Sequence, residues 1–316
     1  MVALTKSYSD VDQLREDARG WAVQYDQVGL GSFSGTLQLY QNDSVQFSRV
    51  KWNRSIHFRG DVPKGTVGFG FPLTPQPDAA RYASIKVDDD HLLLQRSGGE
   101  INYMTPPTRD GLLVIVPEIA ARETLGTIMD GGEGLVGGLR ESKKLNHPDA
   151  ERLRYLGLIT SHLLQSFDEG RVSAEAIDKV CLSLQETCLR IFASNTAQKD
   201  GVRKRFKATD VVSRAEDFAR NANWDYVSVL DVCRAIDVSE RTLHYAFNSA
   251  LGLSPSRWLR LKRLNAARRK LVNGSPSSIR VRDIALEFGF AHMGNFSLTY
   301  KRQFGEMPSE TLKRPC

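Results

Sequence analysis

The chain has 316 residues, 41% of them hydrophobic and 25% charged, which is typical of a globular protein with room for two domains. It contains no run of about 18 apolar residues, and the residues after Met1 are too polar for a secretory signal, so we predict no membrane partner. The 4 cysteines form no CxxC pair, which predicts free thiols in a reducing cytoplasm and no metal centre.

The charge is divided unevenly along the chain. Residues 201–316 carry 21 basic and 11 acidic side chains, whereas residues 1–200 carry 22 basic and 26 acidic ones. A basic part joined to an acidic part predicts that the basic one binds a polyanion such as double-stranded DNA.

The amino-terminal part is predicted to be rich in strands. Apolar residues at helical spacing first indicate a helix over residues 8–24. Short strand-like runs follow between Gly31 and Pro117, separated by Gly, Pro and Asp clusters. These runs are 36–40, 45–50, 55–58, 66–71, 91–94 and 112–116. Many short strands at this spacing predict an antiparallel sandwich or a small barrel.

Helices are predicted from Pro117 onward. Pro117 opens a helix over 118–128, and apolar periodicity marks two long amphipathic helices, over about 153–167 and 174–192. A polar, basic linker is predicted at residues 195–207. The fold class is therefore α+β, with one domain over residues 1–194 and a second over 208–316.

The carboxyl-terminal part repeats one pattern. At an offset of 52 residues, Val229, Asp231, Val232 and Val238 map onto Val281, Asp283, Ile284 and Phe290. After one inserted residue the offset is 53, where Leu243, Phe247, Leu251, Gly252, Pro255 and Ser256 map onto Phe296, Tyr300, Phe304, Gly305, Pro308 and Ser309. Such self-similarity indicates one small unit used twice. We predict an all-α domain of two helix-turn-helix units joined by a long helix over residues 255–272.

The second helix of each unit carries the candidate DNA contacts. In the first unit the predicted outward residues are Ser239, Glu240, Arg241, Thr242, His244, Tyr245 and Asn248. In the second unit they are His292, Met293, Gly294, Asn295, Leu298, Lys301 and Arg302. Arg241 and His244 are the natural base contacts because arginine pairs with guanine through two hydrogen bonds. Lys301 and Arg302 are expected to contact phosphates.

The helix that joins the units has a run of basic residues with two possible roles. They are Arg257, Arg260, Lys262, Arg263, Arg268, Arg269 and Lys270. They either contact DNA phosphates or form intramolecular salt bridges on solvated faces. For Arg263 and Arg268 we favour bracing of the joining helix against both units.

These features resemble the DNA-binding domain of the AraC/XylS family of bacterial transcription regulators. The resemblance covers about residues 208–314 and includes RLNAARRKL at 263–271 and YKRQFGEMPS at 300–309. Within the family, LDVC at 230–233 and GFAHMGNF at 289–296 are similar to the branch that includes the ethanolamine-utilisation regulator. The resemblance places the family's base contacts on six positions: Arg241, His244, Tyr245, Gly294, Asn295 and Leu298.

The resemblance also implies an architecture for residues 1–194. It implies a cupin-like β-barrel at 31–117, flanked by helices over 118–194, that binds a small effector. Dimerisation is expected through residues 146–194. The protein is then an effector-responsive activator with no cofactor, and its partners are DNA, RNA polymerase, the effector and a second copy of the chain.

Two groups of residues in the strand region are candidates for effector binding. Basic side chains that could bind an anionic or nucleotide effector are Arg49, Arg54, His57 and Arg59; the alternative is a solvated strand face. Aromatic side chains that could line a pocket are Trp52, Phe69, Phe71 and Tyr103; the alternative is ordinary core.

A competing hypothesis is an amino-terminal catalytic or nucleotide-binding domain that the helix-turn-helix units target to DNA. Its mark would be a catalytic or metal-binding constellation. His57 and His91 are single, and no Ser/His/Asp or Cys/His arrangement is evident. We therefore predict no metal ligands, no catalytic residues and a protein that is not an enzyme.

Overall fold

The computed structural model of the chain describes residues 1–17, 22–75, 80–82, 85–128, 142–194, 202–221 and 227–314. Its amino-terminal part contains two antiparallel sheets. The first has the strand order β1-β3-β4-β11-β6-β9-β12. Its strands are β1 (Val2–Tyr8), β3 (Gly35–Gln41), β4 (Gln46–Trp52), β6 (Thr66–Pro72), β9 (His91–Gln95), β11 (Arg109–Pro117) and β12 (Ser142–Lys144).

The second sheet is smaller and has the order β2-β5-β10-β7-β8. Its strands are β2 (Ala22–Gln27), β5 (Ile56–Asp61), β7 (Ala80–Tyr82), β8 (Ile85–Val87) and β10 (Glu100–Met104). The two sheets pack face to face through two apolar clusters. Leu39 and Trp52 of the first sheet meet Ile56 of the second in one cluster, and Leu93 meets Tyr103 in the other.

The predicted closed barrel is wrong for the described residues. In the first sheet the end strands β1 and β12 each pair on one side only, so hydrogen bonding does not continue into the second sheet. Period-two alternation instead gives two open sheets that bury their facing sides, which was the sandwich alternative. All six predicted strands are confirmed as β3, β4, β5, β6, β9 and β11.

The predicted helix over residues 8–24 is also wrong. Only α1 (Val11–Asp17) is helical, between β1 and β2, and residues 18–21 lie outside the described part. Residues 22–27 pair with β5 along their whole length. Alternating apolar and polar residues there satisfy a strand as well as a helix, and the long-range pairing decides.

Three helices cover the outer face of the first sheet. They are α2 (Glu118–Ile128), α3 (His147–Asp168) and α4 (Ala174–Ala193), as predicted. Their apolar sides form the largest described cluster with β6 and β11, in which Phe69 and Phe192 lie 5.9 Å apart between ring centroids. Cys181 and Cys188 are buried free thiols in this cluster.

The carboxyl-terminal part is all-α, as predicted. It consists of α5 (Val202–Asn221), α6 (Val229–Ala235), α7 (Glu240–Leu251), α8 (Pro255–Val272), α9 (Val281–Glu287), α10 (Met293–Phe304) and α11 (Pro308–Leu312). Because α5 begins at Val202, the predicted linker over 195–207 contains its first residues; residues 195–201 lie outside the described part. Among the described helices none is long and apolar enough to cross a membrane.

The backbone repeats as the sequence does. The turn between α6 and α7 places Asp237 in the left-handed region with φ 52°, and its counterpart 52 residues later, Gly289, has φ 76°. Both α7 and α10 end at a left-handed glycine, Gly252 with φ 69° and Gly305 with φ 78°. Glycine is preferred there because it has no Cβ to clash.

The two units have separate cores. Helix α8 gives Trp258 and Leu261 to the cluster of the first unit, and Leu264 and Leu271 to that of the second. Among the described residues, no buried apolar cluster spans both units. The 18-residue helix α8 is therefore the covalent and structural link between them.

Candidate nucleic-acid interface

The first recognition helix, α7, presents a polar face. Ser239 caps its amino terminus, where Oγ accepts a hydrogen bond from the backbone N–H of Thr242 at 3.1 Å. The predicted outward side chains are exposed: Ser239, Glu240, Arg241, Thr242, His244, Tyr245 and Asn248. Leu243 and Phe247 are buried, so the predicted division of this helix into two faces is confirmed.

The second recognition helix, α10, has fewer polar groups to offer bases. His292, Gly294, Asn295, Leu298, Lys301 and Arg302 are exposed, and no described atom lies within 4 Å of the position that a Cβ at Gly294 would take. Leu298 is 70% exposed, so an apolar side chain stands on the outward face of this helix. Met293 differs from its prediction, because it is half-buried against the core of the second unit.

Most of the basic run on α8 is engaged within the protein. Lys262 Nζ lies 2.7 Å from Asp26 Oδ2, and Arg269 Nη1 lies 3.0 Å from Asp26 Oδ1. Arg268 pairs with Asp10 at 2.6 Å and also with Glu306. These bonds support the salt-bridge alternative over the DNA-contact alternative for these three residues.

Of the other four basic residues of α8, two are bonded within the protein and two are exposed. Arg263 donates to the backbone carbonyl of Val227 beside the first unit, and Lys270 pairs with Glu287 of the second. The predicted bracing by Arg263 and Arg268 is therefore confirmed. Arg257 and Arg260 are exposed and keep the possibility of a phosphate contact.

The charged side chains between the two parts of the chain shift the pKa values of Asp26 and Asp12. Burial alone raises the pKa of Asp26, but Lys262 and Arg269 outweigh it and hold the pKa well below its usual range. The opposite holds for Asp12, where burial raises the pKa to about 6 although Arg269 partly offsets it. Asp12 Oδ1 is buried without a hydrogen-bond partner, which is the physical reason for the difference.

The basic side chains predicted to bind an effector do not converge. Arg49 on β4 faces α3 and forms a bidentate contact with Asp110 at 2.7 and 2.8 Å. Arg54 donates to the carbonyl of Asn53. Two face the carboxyl-terminal half instead: Arg59 lies 3.2 Å and His57 3.6 Å from carboxylate oxygens of the buried Glu216 on α5.

The aromatic candidates separate into two groups. Phe69 and Phe71 are core under the helical layer, as their alternative interpretation holds. Trp52 and Tyr103 lie between the sheets, where both contact Arg109. The guanidinium carbon of Arg109 is 5.8 Å from the Trp52 ring centroid and 4.9 Å from that of Tyr103.

Arg109 is the residue that sequence analysis missed. It is buried and donates to the Tyr103 hydroxyl, but its Nε has no hydrogen-bond partner and no described carboxylate pairs with it. The predicted strand run 112–116 is continuously apolar, so no local alternation shows on which face of the strand Arg109 lies, and the sequence carries no signal for it. A cavity of about 10 Å³ beside it is no larger than one water molecule.

Comparison with known proteins identifies the carboxyl-terminal part. Residues 232–314 match a family model described as a helix-turn-helix domain. This region is therefore a helix-turn-helix domain. The match contains both recognition helices and the whole of α8, so the predicted repeat coincides with the helix-turn-helix domain.

Relatives of the helix-turn-helix domain carry the names of regulators. A probable thc operon regulatory protein of Rhodococcus erythropolis is 37% identical over 103 residues, which are 33% of this chain and 31% of the relative. The XylDLEGF operon transcriptional activator 1 of Pseudomonas putida is 26% identical over 224 residues, and the chain spans 58% of its length and aligns over 71% of its own. A crystal structure of the AraC-like transcriptional activator CuxR overlaps 85% of this chain and 96% of that chain with 13% identity and a TM-score of 0.41.

The raised pKa of Asp12 predicts a pH-dependent cost. Because the native state binds this proton more tightly than the unfolded chain does, the stability from Asp12 is fully present below about pH 4 and is lost as the pH rises through about 6. Asp12→Asn should therefore raise the free energy of unfolding at pH 7.5 by about 1 kcal/mol and flatten its change between pH 4 and 6. Denaturant unfolding at a series of pH values measures both.

Asp26→Asn is the matched control, and its expected change in the free energy of unfolding has the opposite sign. The depressed pKa of Asp26 stabilises the native state above the unfolded pKa, and the substitution leaves Lys262 and Arg269 buried beside a neutral amide. This variant should be less stable at pH 7.5. An Asp12→Asn variant that is equally destabilised would contradict the burial argument.

Proposed function

We propose that this protein is a sequence-specific DNA-binding transcription regulator, an activator that works in the cytoplasm. The observation that carries the proposal is the pair of recognition helices with exposed polar faces, each held by its own core on one 18-residue helix. Eighteen residues of helix span about 27 Å. With side-chain reach, this length suits two major-groove segments about 34 Å apart.

The two units are proposed to contribute differently. The first carries Arg241 and His244, which have hydrogen-bonding groups for base edges. The second offers Asn295 and His292, while Leu298 suits apolar contact with a thymine methyl group and Lys301 and Arg302 suit phosphates. The motifs at 230–233 and 289–296 support placement near the ethanolamine-regulator branch of the family.

Arg241→Ala tests the base contact. We expect a loss of about 1–3 kcal/mol in binding free energy and relaxed preference at a single base pair. Binding sites are first selected from random duplex DNA by the full chain at a fixed salt concentration, and affinities are then measured on a base-substitution series. Unchanged preference at every position would remove Arg241 from the base contacts.

Lys301→Ala is the matched control in the same assay. A phosphate contact carries no sequence information, so this variant should weaken binding to all sequences alike. The dependence of log affinity on log salt concentration should become shallower by about one unit.

We propose that the domain boundary lies within residues 195–207 and that the protein dimerises through residues 146–194. Exposed apolar side chains lie on these helices: Tyr155 is 65% exposed, Leu158 41% and Leu182 53%. Tyr155, Leu158 and His162 follow the three-and-four spacing of a helix–helix seam along α3.

Tyr155→Glu should shift the protein from dimer to monomer, with the dissociation constant raised at least about tenfold. Sedimentation at several concentrations measures the shift. Ile119→Glu is the control, because Ile119 is 72% exposed on α2, outside the proposed interface. Equal dissociation by both variants would place the interface elsewhere.

A small-molecule effector is proposed to bind where Trp52, Tyr103 and Arg109 meet between the sheets, and the sheets would have to separate to admit it, because the cavity of about 10 Å³ there is no larger than one water molecule. An effector there would favour one arrangement of the two parts of the chain, and as an activator the protein would contact RNA polymerase.

Thermal unfolding of the full chain with a panel of small carboxylates, sugars and neutral aromatics tests the effector site. A compound that raises the melting temperature of the wild type should do so much less for Arg109→Met. A response that is the same in both proteins would exclude this location.

A further inference from the structure

The segment of residues 26–32, which contains the end of β2 and the turn after it, lies against the helix-turn-helix domain. Its first contacts are with α8: the N–H of Gln27 donates to Asn265 Oδ1 at 2.9 Å, and Asn265 Nδ2 donates back to the Gln27 carbonyl at 3.1 Å. Asp26 adds its ion pairs with Lys262 and Arg269. Asp26, Gln27 and Asn265 are buried, and Lys262 and Arg269 are partly buried, so the contacts are made in a region of low dielectric constant.

The same segment bonds to the end of the second recognition helix. The last carbonyls of a helix have no partner within it. In α10 the carbonyl of Gln303 accepts from Gly31 N at 3.0 Å and from Gln27 Nε2 at 2.9 Å, and that of Arg302 accepts from Gly31 N at 3.2 Å. The Gln303 side chain donates in return to the Gln27 carbonyl at 3.0 Å.

Ser32 completes this contact at the capping glycine of α10. A Cβ at Gly305 would overlap Ser32 Oγ and lie 2.7 Å from the Ser32 backbone nitrogen. The absence of a side chain at Gly305 thus serves both the left-handed cap and the close approach of the amino-terminal half.

The first recognition helix is bonded in the equivalent place. Arg81 on β7 donates through Nη1 to the carbonyl of Ser249, in the last turn of α7, at 2.7 Å. A Cβ at the capping Gly252 would lie 3.0 Å from Arg81 Nε. The amino-terminal half therefore supplies hydrogen-bond donors to the carboxyl-terminal carbonyls of both recognition helices.

These contacts leave the DNA-contacting face open. They engage the carboxyl-terminal ends of α7 and α10, whereas Arg241, His244 and Asn295, nearer the amino-terminal ends, stay exposed. Among the described residues, α8 is the element that contributes to the cores of both units, and a helix of this length can curve, which would change the relative position of the units. The amino-terminal half adds a second connection between them.

We propose that the amino-terminal half fixes the relative position of the two recognition helices and thereby sets the spacing of the two DNA elements that the protein accepts. The inference rests on the proposed function, because it requires both units to contact DNA. Gln27 and Arg81 are the positioning residues, one for each recognition helix, and neither faces the DNA.

The experiment compares the full-length wild type with Gln27→Ala and with Arg81→Ala on a spacing series. The duplexes carry the two elements selected by the wild type, separated by up to two base pairs more or fewer. Each inserted base pair rotates one element by about 35° relative to the other. The wild type should lose affinity about tenfold for each base pair of change, and the variants about threefold or less.

Arg122→Ala on the outer helix α2 is the control and should keep the wild-type dependence on spacing. Thermal unfolding establishes that each variant is folded. Arg81 is half-exposed, so this variant tests the proposal even where Gln27→Ala fails to fold.

Three results would contradict either the proposed function or the positioning inference. A wild type with no sequence-specific binding overturns the proposed function itself. A wild type with strict spacing and variants that are equally strict overturns the positioning inference alone. Variants that bind more tightly than the wild type at every spacing also overturn it, because the contacts would then restrain DNA binding.

Discussion

The carboxylate of Asp26 lies buried between Lys262 and Arg269, and the joining of the two halves of this chain depends on it. Asp26 lies on β2, whereas Lys262 and Arg269 lie 236 and 243 residues later in sequence, both on α8. An isolated charge in such a place is strongly unfavourable, and removal of one partner from a buried ion pair costs about 3–5 kcal/mol. The acidic amino-terminal half and the basic carboxyl-terminal half are thus complementary at their interface, and part of the charge that suggested nucleic-acid binding is used inside the protein.

The interface between the two halves also contains His57 and Arg59, which were predicted to bind an effector. His57 and Arg59 lie on a strand of the second sheet, and they face Glu216 of α5 instead of an internal ligand. Burial lowers the pKa of His57, and the nearby Glu216 carboxylate partly opposes that shift. Of the predicted effector residues, Trp52 and Tyr103 lie between the sheets, where both contact Arg109.

Local periodicity predicted the helices of the carboxyl-terminal half well because each unit is a short-range structure. Helix α8, the cap at Ser239 and the two glycine caps follow from residues a few positions apart. The sheets were harder. Strands β1, β2 and β12 alternate only weakly between apolar and polar residues, and they form because they pair with strands far along the chain. Which strands end each sheet also depends on such long-range pairing. No local pattern shows that Gln27 meets Gln303 or that Arg109 lies beside Trp52 and Tyr103.

The two helix-turn-helix turns use different residues for one backbone shape, and this affects how each copy can change. At Gly289 the left-handed conformation is free of strain, so nearly every replacement would add a steric cost of about 1–2 kcal/mol. Asp237 already bears part of that cost, and its short polar side chain is among the few that tolerate it. Replacement of Asp237 by glycine or asparagine would therefore lower or keep the backbone energy of the first turn, whereas replacement of Gly289 would raise that of the second. The turn that orients each recognition helix is thus under unequal mutational constraint in two copies of the same unit.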